Sequence, residues 1–202
     1  KAPYRIPHAQ KEQVDVEIKK MLDSGVISRS KSVFNSPMII VPKPGTAKLR
    51  ICLDMRSVND VTIPITFPIP RIDELLNELH ETKIISSIDL AEAYHQCEIK
   101  KEDRHKTAFT VNSSKYEFNR VAFGLTSAPG YFCRIINETL HDIIGSNVVV
   151  YMDDLLIFTK DEETHLKRLE EVLKRLSEVN LKIKVSKCKF FTDKVKFLGF
   201  TI

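Results

Sequence analysis

Glycine is scarce, 6 in 202 residues, and the 9 prolines are scattered, which excludes low-complexity and collagen-like chains. No apolar run approaches the about 18 residues a transmembrane helix needs. The opening Lys1-Ala2-Pro3-Tyr4-Arg5 has no apolar stretch behind it, so neither a membrane contact nor a signal peptide is expected. Cysteine is sparse too: Cys52, Cys97, Cys133 and Cys188 stand far apart with no C-x-x-C spacing. That argues against zinc and for free thiols in a reducing, intracellular compartment. No internal repeat or Gly/Ser linker interrupts the chain. What is present is 43% hydrophobic residues, enough to exclude disorder and to bury a core as one large domain or two small lobes.

A net charge of +4 hides an asymmetry. Residues 1–56 carry 11 Lys/Arg against 5 Asp/Glu, and residues 182–202 carry 6 Lys against one Asp. Residues 57–181 hold 14 basic and 21 acidic residues. Basic ends suit a polyanion, and an acidic centre would need cations before phosphates could approach. Ordinary solvated faces carry such charge as well.

Apolar spacing predicts a helix over 10–23 with Gly25 closing it, and strands over Met38–Val41 and Leu49–Leu53 joined by a turn at Lys43–Thr46. Pro64, Pro68 and Pro70 make 63–70 an extended connector, and a short helix is expected over 71–80. Strands follow at 84–90, 106–111 and 116–121, the last two joined through Asn112-Ser113-Ser114. Helices are expected over 127–144 and through Leu166–Val179, with strands at 148–151, 155–158, 182–185 and 197–202. Irregular mixing of hairpins and helices points to an α+β fold with antiparallel strands.

The most informative segment is Val148-Val149-Val150-Tyr151-Met152-Asp153-Asp154-Leu155-Leu156-Ile157-Phe158. Two adjacent carboxylates sit at the tip of an apolar hairpin. Asp favours turns for local reasons, but two like charges fixed side by side also repel, and a divalent cation relieves that repulsion. Asp89, ending the apolar run 84–88, adds a third carboxylate, unless it is only a cap. Three such oxygens could hold two Mg²⁺ ions about 4 Å apart, with Mn²⁺ the substitute, for an in-line phosphoryl transfer.

Tyr151-Met152-Asp153-Asp154 resembles the signature of reverse transcriptases, and its surroundings resemble the polymerases of gypsy-type LTR retrotransposons. The resemblance runs through six ordered blocks: 35–43 and 49–59 with the two fingers strands, Ile88–Gln96 with the first catalytic motif, Phe123–Pro129 with the template- and nucleotide-contacting motif, Leu181–Phe191 with the lysine-rich motif, and Phe197-Leu198-Gly199-Phe200 with the primer grip. It implies the fingers and palm of a right-hand polymerase, with an antiparallel palm sheet backed by helices. Fingers are expected over 1–80 and 109–122, and palm over 81–108 and 123–202. No thumb, connection or RNase H motif is seen, so the chain resembles the core of a larger polyprotein.

Residue by residue, the resemblance implies Asp89, Asp153 and Asp154 as catalytic metal ligands, with the Leu90 carbonyl as a further oxygen. Arg50 would meet the nucleotide phosphates, with Lys43 and Lys48 near the fingers turn. Ala91, Glu92 and Ala93 would line the nucleotide site, and Tyr94 would crowd the sugar 2′ position to favour dNTPs. Phe123 would pack on the nucleotide, and Gly124 would let backbone approach it. Lys187 or Lys189 would supply a cation near the leaving pyrophosphate. Tyr151, Met152, Phe197, Leu198 and Gly199 would contact an RNA or DNA template with its primer. Ala122 stands where Pro is usual, and Glu92-Ala93 where Ser-Gly is commoner. The expected location is the cytoplasm or a virus-like particle, with the nucleus also open. The competing readings are a catalytically idle retroelement-derived nucleic-acid-binding or assembly module and, ranked last, a metal-dependent nuclease, which leaves Arg50 and Tyr94 unexplained.

Overall fold

Val14, Ile18 and Met21 recur on one helical face, and the computed structural model, which describes residues 1–42, 49–68, 79 and 82–202, buries all three in helix α1 (Lys11–Asp23). The other helices are α2 (Arg56–Asn59), α3 (Lys101–Arg104), α4 (Ala128–Leu140) and α5 (Glu162–Glu178). The strands are β1 (Ile27–Arg29), β2 (Met38–Pro42), β3 (Leu49–Leu53), β4 (Ile84–Asp89), β5 (Phe109–Val111) and β6 (Ser114–Phe118). β7 (Val148–Tyr151), β8 (Asp154–Thr159), β9 (Lys189–Thr192), β10 (Lys196–Phe197) and β11 (Phe200–Thr201) follow. The expected turn at 43–46 and, but for Leu79, the helix over 71–80 lie outside the described residues.

The chain divides into two units, Lys1–Ile65 with Tyr94–Ala128, and Thr66–Ala93 with Pro129–Ile202. In the first, β1-β6-β5 form an antiparallel sheet and β2-β3 a separate hairpin. Their inward residues join α1 in one core that includes Ile27, Met38, Ile51, Met55, Phe109 and Phe118. In the second, β7-β8-β4-β9 make a four-stranded antiparallel sheet. Every residue of β8 after Asp154 is buried, so both faces of the sheet are covered. Ile85, Val149, Leu156 and Phe158 pack on one face with Val195 and Phe197, and α5 packs against β8 and β4. The antiparallel α+β expectation therefore holds, and all four cysteines are free thiols.

Several boundaries differ from expectation for local reasons. Residues 105–107 close a 3-10 turn, so the strand expected over 106–111 begins only at Phe109. The loop to β6 is just Asn112-Ser113, both with positive φ (45° and 62°), the geometry of a two-residue hairpin turn; β6 accordingly starts at Ser114. Residues 182–185 form no strand but a single bridge, Leu90 to Ile183, before a 3-10 turn at Val185–Lys187. The strand expected over 197–202 is instead a hairpin, β10–β11, turning through Leu198 and Gly199 at φ 52° and 85°.

One polar chain crosses the second unit's interior. The Phe191 N–H donates to Ser86 Oγ (3.1 Å), which lies 2.7 Å from His165 Nε2; His165 Nδ1 is 3.0 Å from Thr159 Oγ1, and Thr159 donates to the Asp161 carbonyl. Because the Thr159 hydrogen is used on Asp161, its oxygen accepts from Nδ1–H, and Nε2 accepts from Ser86. A fully buried, neutral imidazole thus ties α5 to β4, β8 and β9.

Candidate active site

Antiparallel register sets Asp89 of β4 directly opposite Asp154 of β8, and Tyr151 of β7 opposite Asp154 on its other side. Directly paired residues share a face with side chains about 5 Å apart. The same alternation puts Asp89 on the face of Ile85, and Asp154 on that of Leu156 and Phe158. This is the face on which Tyr151, Phe197 and Leu198 pack. Asp153 follows Met152 in the two-residue loop between β7 and β8 and is exposed. Met152 takes φ 57° without being glycine, a conformation that costs about 1–2 kcal/mol. The buried strands on either side hold the loop in it.

The electrostatics are those of crowded carboxylates. Asp154's pKa is raised, first by loss of hydration against the surrounding protein, then by the charges of Asp153 and Asp89, while Lys187 opposes the rise. Lys187 Nζ lies 2.8 Å from Asp89 Oδ2, and that bond is the main reason the ammonium's pKa is raised. Its segment is docked on the end of β4: the Lys184 N–H donates to the Asp89 carbonyl (2.8 Å), and the Ala91 N–H to the Lys182 carbonyl (2.9 Å). These bonds flank the Leu90–Ile183 bridge, which makes it a non-hydrogen-bonded pair. Leu90's own carbonyl therefore points away from Ile183, toward the side where β8 carries Asp154.

Among the described residues, no three His, Cys, Asp or Glu side chains are gathered as a ready metal cage. The donor chemistry nonetheless fits a hard divalent cation: mutually repelling carboxylates at positions 89, 153 and 154, and a backbone oxygen facing their side. Asp89 meanwhile is engaged by Lys187.

The first unit gathers the other main candidates. Exposed Arg50 stacks its guanidinium over the Phe123 ring, 4.9 Å from its centre. Tyr94 packs on the same ring at 5.2 Å and His95 at 5.1 Å. Gly124 has φ +105°, and a Cβ there would fall 2.5 Å from the Leu53 carbonyl oxygen. Its freedom therefore serves a close approach to Leu53. Asn59 clamps the same loop, donating from Nδ2 to the Gly124 carbonyl (2.9 Å) and accepting from the Thr126 N–H (3.0 Å). Nothing in the sequence marks Asn59, since an Asn ending a four-residue helix carries no distinguishing pattern.

The remaining candidates fall as follows. Ala93 is buried, Glu92 is exposed at φ 45°, and Ala91 spends its N–H on Lys182. Phe197 is 3% exposed, so its side chain anchors the β10–β11 hairpin to the core. Lys43 and Lys48 lie outside the described residues. Of the two lysines left open, Lys187 is the one that meets a carboxylate; Lys189 is an exposed residue of β9. Ala122 is wholly buried.

Comparison with known proteins decides the family. Residues 41–202 match the family model for reverse transcriptase (RNA-dependent DNA polymerase). The chain is a reverse transcriptase domain. It is 39% identical, over 98% of its length, to the retrovirus-related Pol polyprotein from transposon opus of Drosophila melanogaster. To the corresponding polyprotein from transposon gypsy of the same species it is 38% identical over 94%. Among solved structures, the foamy viral protease-reverse transcriptase in complex with double-stranded DNA superposes over the whole chain with TM-score 0.92 and 32% identity. The foamy viral enzyme in complex with an RNA/DNA hybrid does so with TM-score 0.91 and 31% identity. These likenesses establish the right-hand polymerase fold of this reverse transcriptase domain. The domain spans 20% of the opus polyprotein and 35% of the first of these foamy viral chains. Among the described residues, no helix is long and apolar enough to cross a membrane.

Proposed function

We propose that this domain is the polymerase core of a retrotransposon Pol polyprotein, adding dNTPs to a primer 3′-OH on an RNA or DNA template. The first unit is read as fingers and the second as palm. The observation that carries the reading is the register of β4 against β8, which pairs Asp89 with Asp154 beside Asp153 in the turn. Asp89, Asp153 and Asp154, with the Leu90 carbonyl, would hold Mg²⁺, or Mn²⁺ in its place. Bound there, the ions would acidify the 3′-OH and neutralise charge on the phosphates. Attack of the 3′ oxygen on the α-phosphorus forms the new ester bond and breaks the bond to pyrophosphate. Arg50, whose guanidinium lies over the Phe123 ring, would bridge phosphate oxygens. Tyr94, buttressed by Phe123, would exclude the ribose 2′-OH by shape.

The test is extension of a DNA primer on an RNA template with Mg²⁺ and dNTPs, run beside Asp153→Asn. The parent chain extends, and the variant loses at least about a hundredfold in rate, as removal of a group acting on the transition state does. Failure of both to extend a primer–template shown to be bound would favour the idle binding module instead.

A further inference from the structure

We propose that Lys187 is a resident counter-cation of the carboxylate cluster, one that the site exchanges for its divalent ion, so that metal entry and release of Lys187 from Asp89 are a single event. This rests on the reading of Asp89, Asp153 and Asp154 as the metal-holding group.

Three observations support it. First, the ammonium makes a 2.8 Å charge-assisted bond to Asp89 Oδ2, one of the oxygens a metal would need. Second, the lysine is delivered by fixed backbone. The 3-10 turn at Val185–Lys187 follows directly from the segment docked on β4 through Lys184 to Asp89 and Ala91 to Lys182. The anchored backbone keeps the lysine within reach of Asp89, so only the side chain itself has to be ordered for the pair to form. Third, Lys187 also acts on Asp154, against the repulsion of Asp153 and Asp89. Three carboxylates crowded at one end of a sheet need a positive charge whether or not a metal is present, and Lys187 supplies it.

The pair is also built to open. Lys187's side chain is 57% exposed and Asp89's 27%, so water can replace each partner as they separate. A buried pair would resist exchange, and a fully solvated lysine would not compete. A dication attracted by all three carboxylates outbids a monovalent ammonium attracted mainly by one.

Mn²⁺ binding to the 202-residue chain, read from the free-ion electron paramagnetic resonance signal, tests this without catalysis. Lys187→Met is expected to bind Mn²⁺ about three- to tenfold more tightly, since both competition and like-charge repulsion are removed. Lys184→Met, which removes the same charge from the same segment, is expected to stay within about twofold. In the parent chain, the ¹³C signal of dimethylated Lys187 should shift during Mg²⁺ titration with the midpoint of metal binding. Lys187→Met affinity equal to or weaker than the parent's, or a Lys187 signal that stays still while the site fills, overturns the proposal. Should Lys187→Met fail to fold, the Lys187 signal alone decides. Asp153→Asn with Asp154→Asn separates the two levels of the argument. If that double variant binds Mn²⁺ like the parent, the metal reading itself falls; if it loses binding while Lys187→Met is unchanged, only the counter-cation falls. Absence of Mn²⁺ binding in every chain overturns both.

Discussion

Gly124 has no room for even a methyl group, because the atom would meet the Leu53 carbonyl oxygen at 2.5 Å and the backbone sits at φ +105°. Gly124→Ala is expected to destabilise the fold by about 2–4 kcal/mol, combining backbone strain with a forced shift of β3. Urea unfolding of the two chains would measure it. His165 makes the opposite kind of case, a polar side chain locked in an interior. Burial lowers its pKa below the ordinary 6.5. As pH falls below that value the unfolded chain takes up a proton that the folded chain refuses. The stability His165 lends is therefore complete above about pH 6.5 and is lost as the pH falls toward the depressed folded value. Denaturant midpoints from pH 7.5 to 5 should drop in the parent. They should drop less in His165→Gln, which starts lower because Ser86 and Thr159 lose fitted partners. Neither residue's surroundings were legible in the sequence. Gly124 was visible as a glycine needing close approach, but the partner is Leu53. His165 carried no signal, since burial and a three-residue polar chain arise only when β4, β8, β9 and α5 come together. Asp153-Asp154 stood out between two apolar runs and Asp89 at the end of a third, whereas the register that sets Asp89 opposite Asp154 is set by strands far apart in sequence.

Helix α5 was the most readable element, with Leu169, Val172 and Leu176 on one buried face over 17 residues. Its start is fixed by Asp161, whose Oδ1 accepts the Thr164 N–H at 2.8 Å; that bonding lowers the Asp161 pKa. Asp161→Ala should lower the melting temperature at neutral pH, because the Thr164 N–H loses its capping acceptor. Since a carboxylate with a depressed folded pKa loses its contribution as pH falls toward that pKa, the gap between parent and variant should close on acidification. Thermal melts of both chains at pH 7 and pH 3 would check this. At the other extreme, β9, β10 and β11 are two to four residues long. A strand that short has no period to detect, and the lysines between 182 and 196 masked what apolar signal remained. The 198–199 turn hides a hairpin for the same reason: Leu198 at positive φ is not a residue from which a turn is read. Short elements are defined by their partners, and partners are not local in sequence.

At the scale of the whole chain, the two units differ in charge. Residues 1–65 and 94–128 carry 17 Lys/Arg against 10 Asp/Glu, whereas 66–93 and 129–202 carry 14 against 17. The basic N-terminal segment thus falls in a unit with an excess of +7, whereas the basic segment 182–202 belongs to the unit whose net charge is −3. If the domain holds a primer–template through its phosphates, binding must weaken steeply with salt, because each neutralised phosphate releases counterions. For about four phosphate contacts, affinity should fall about a hundredfold between 50 and 200 mM salt; fluorescence anisotropy of a labelled primer–template would record the slope. The same measurement on Asp153→Asn with Asp154→Asn, without divalent ions, should give affinity equal to the parent's or tighter, because the substitutions remove only negative charge. Loss of extension with retained, salt-sensitive binding would assign the two properties to different groups, the carboxylates for chemistry and the basic residues for grip. If binding fell together with extension in that variant, the aspartates would have to act through the fold, and the separation drawn from the charge pattern would not stand.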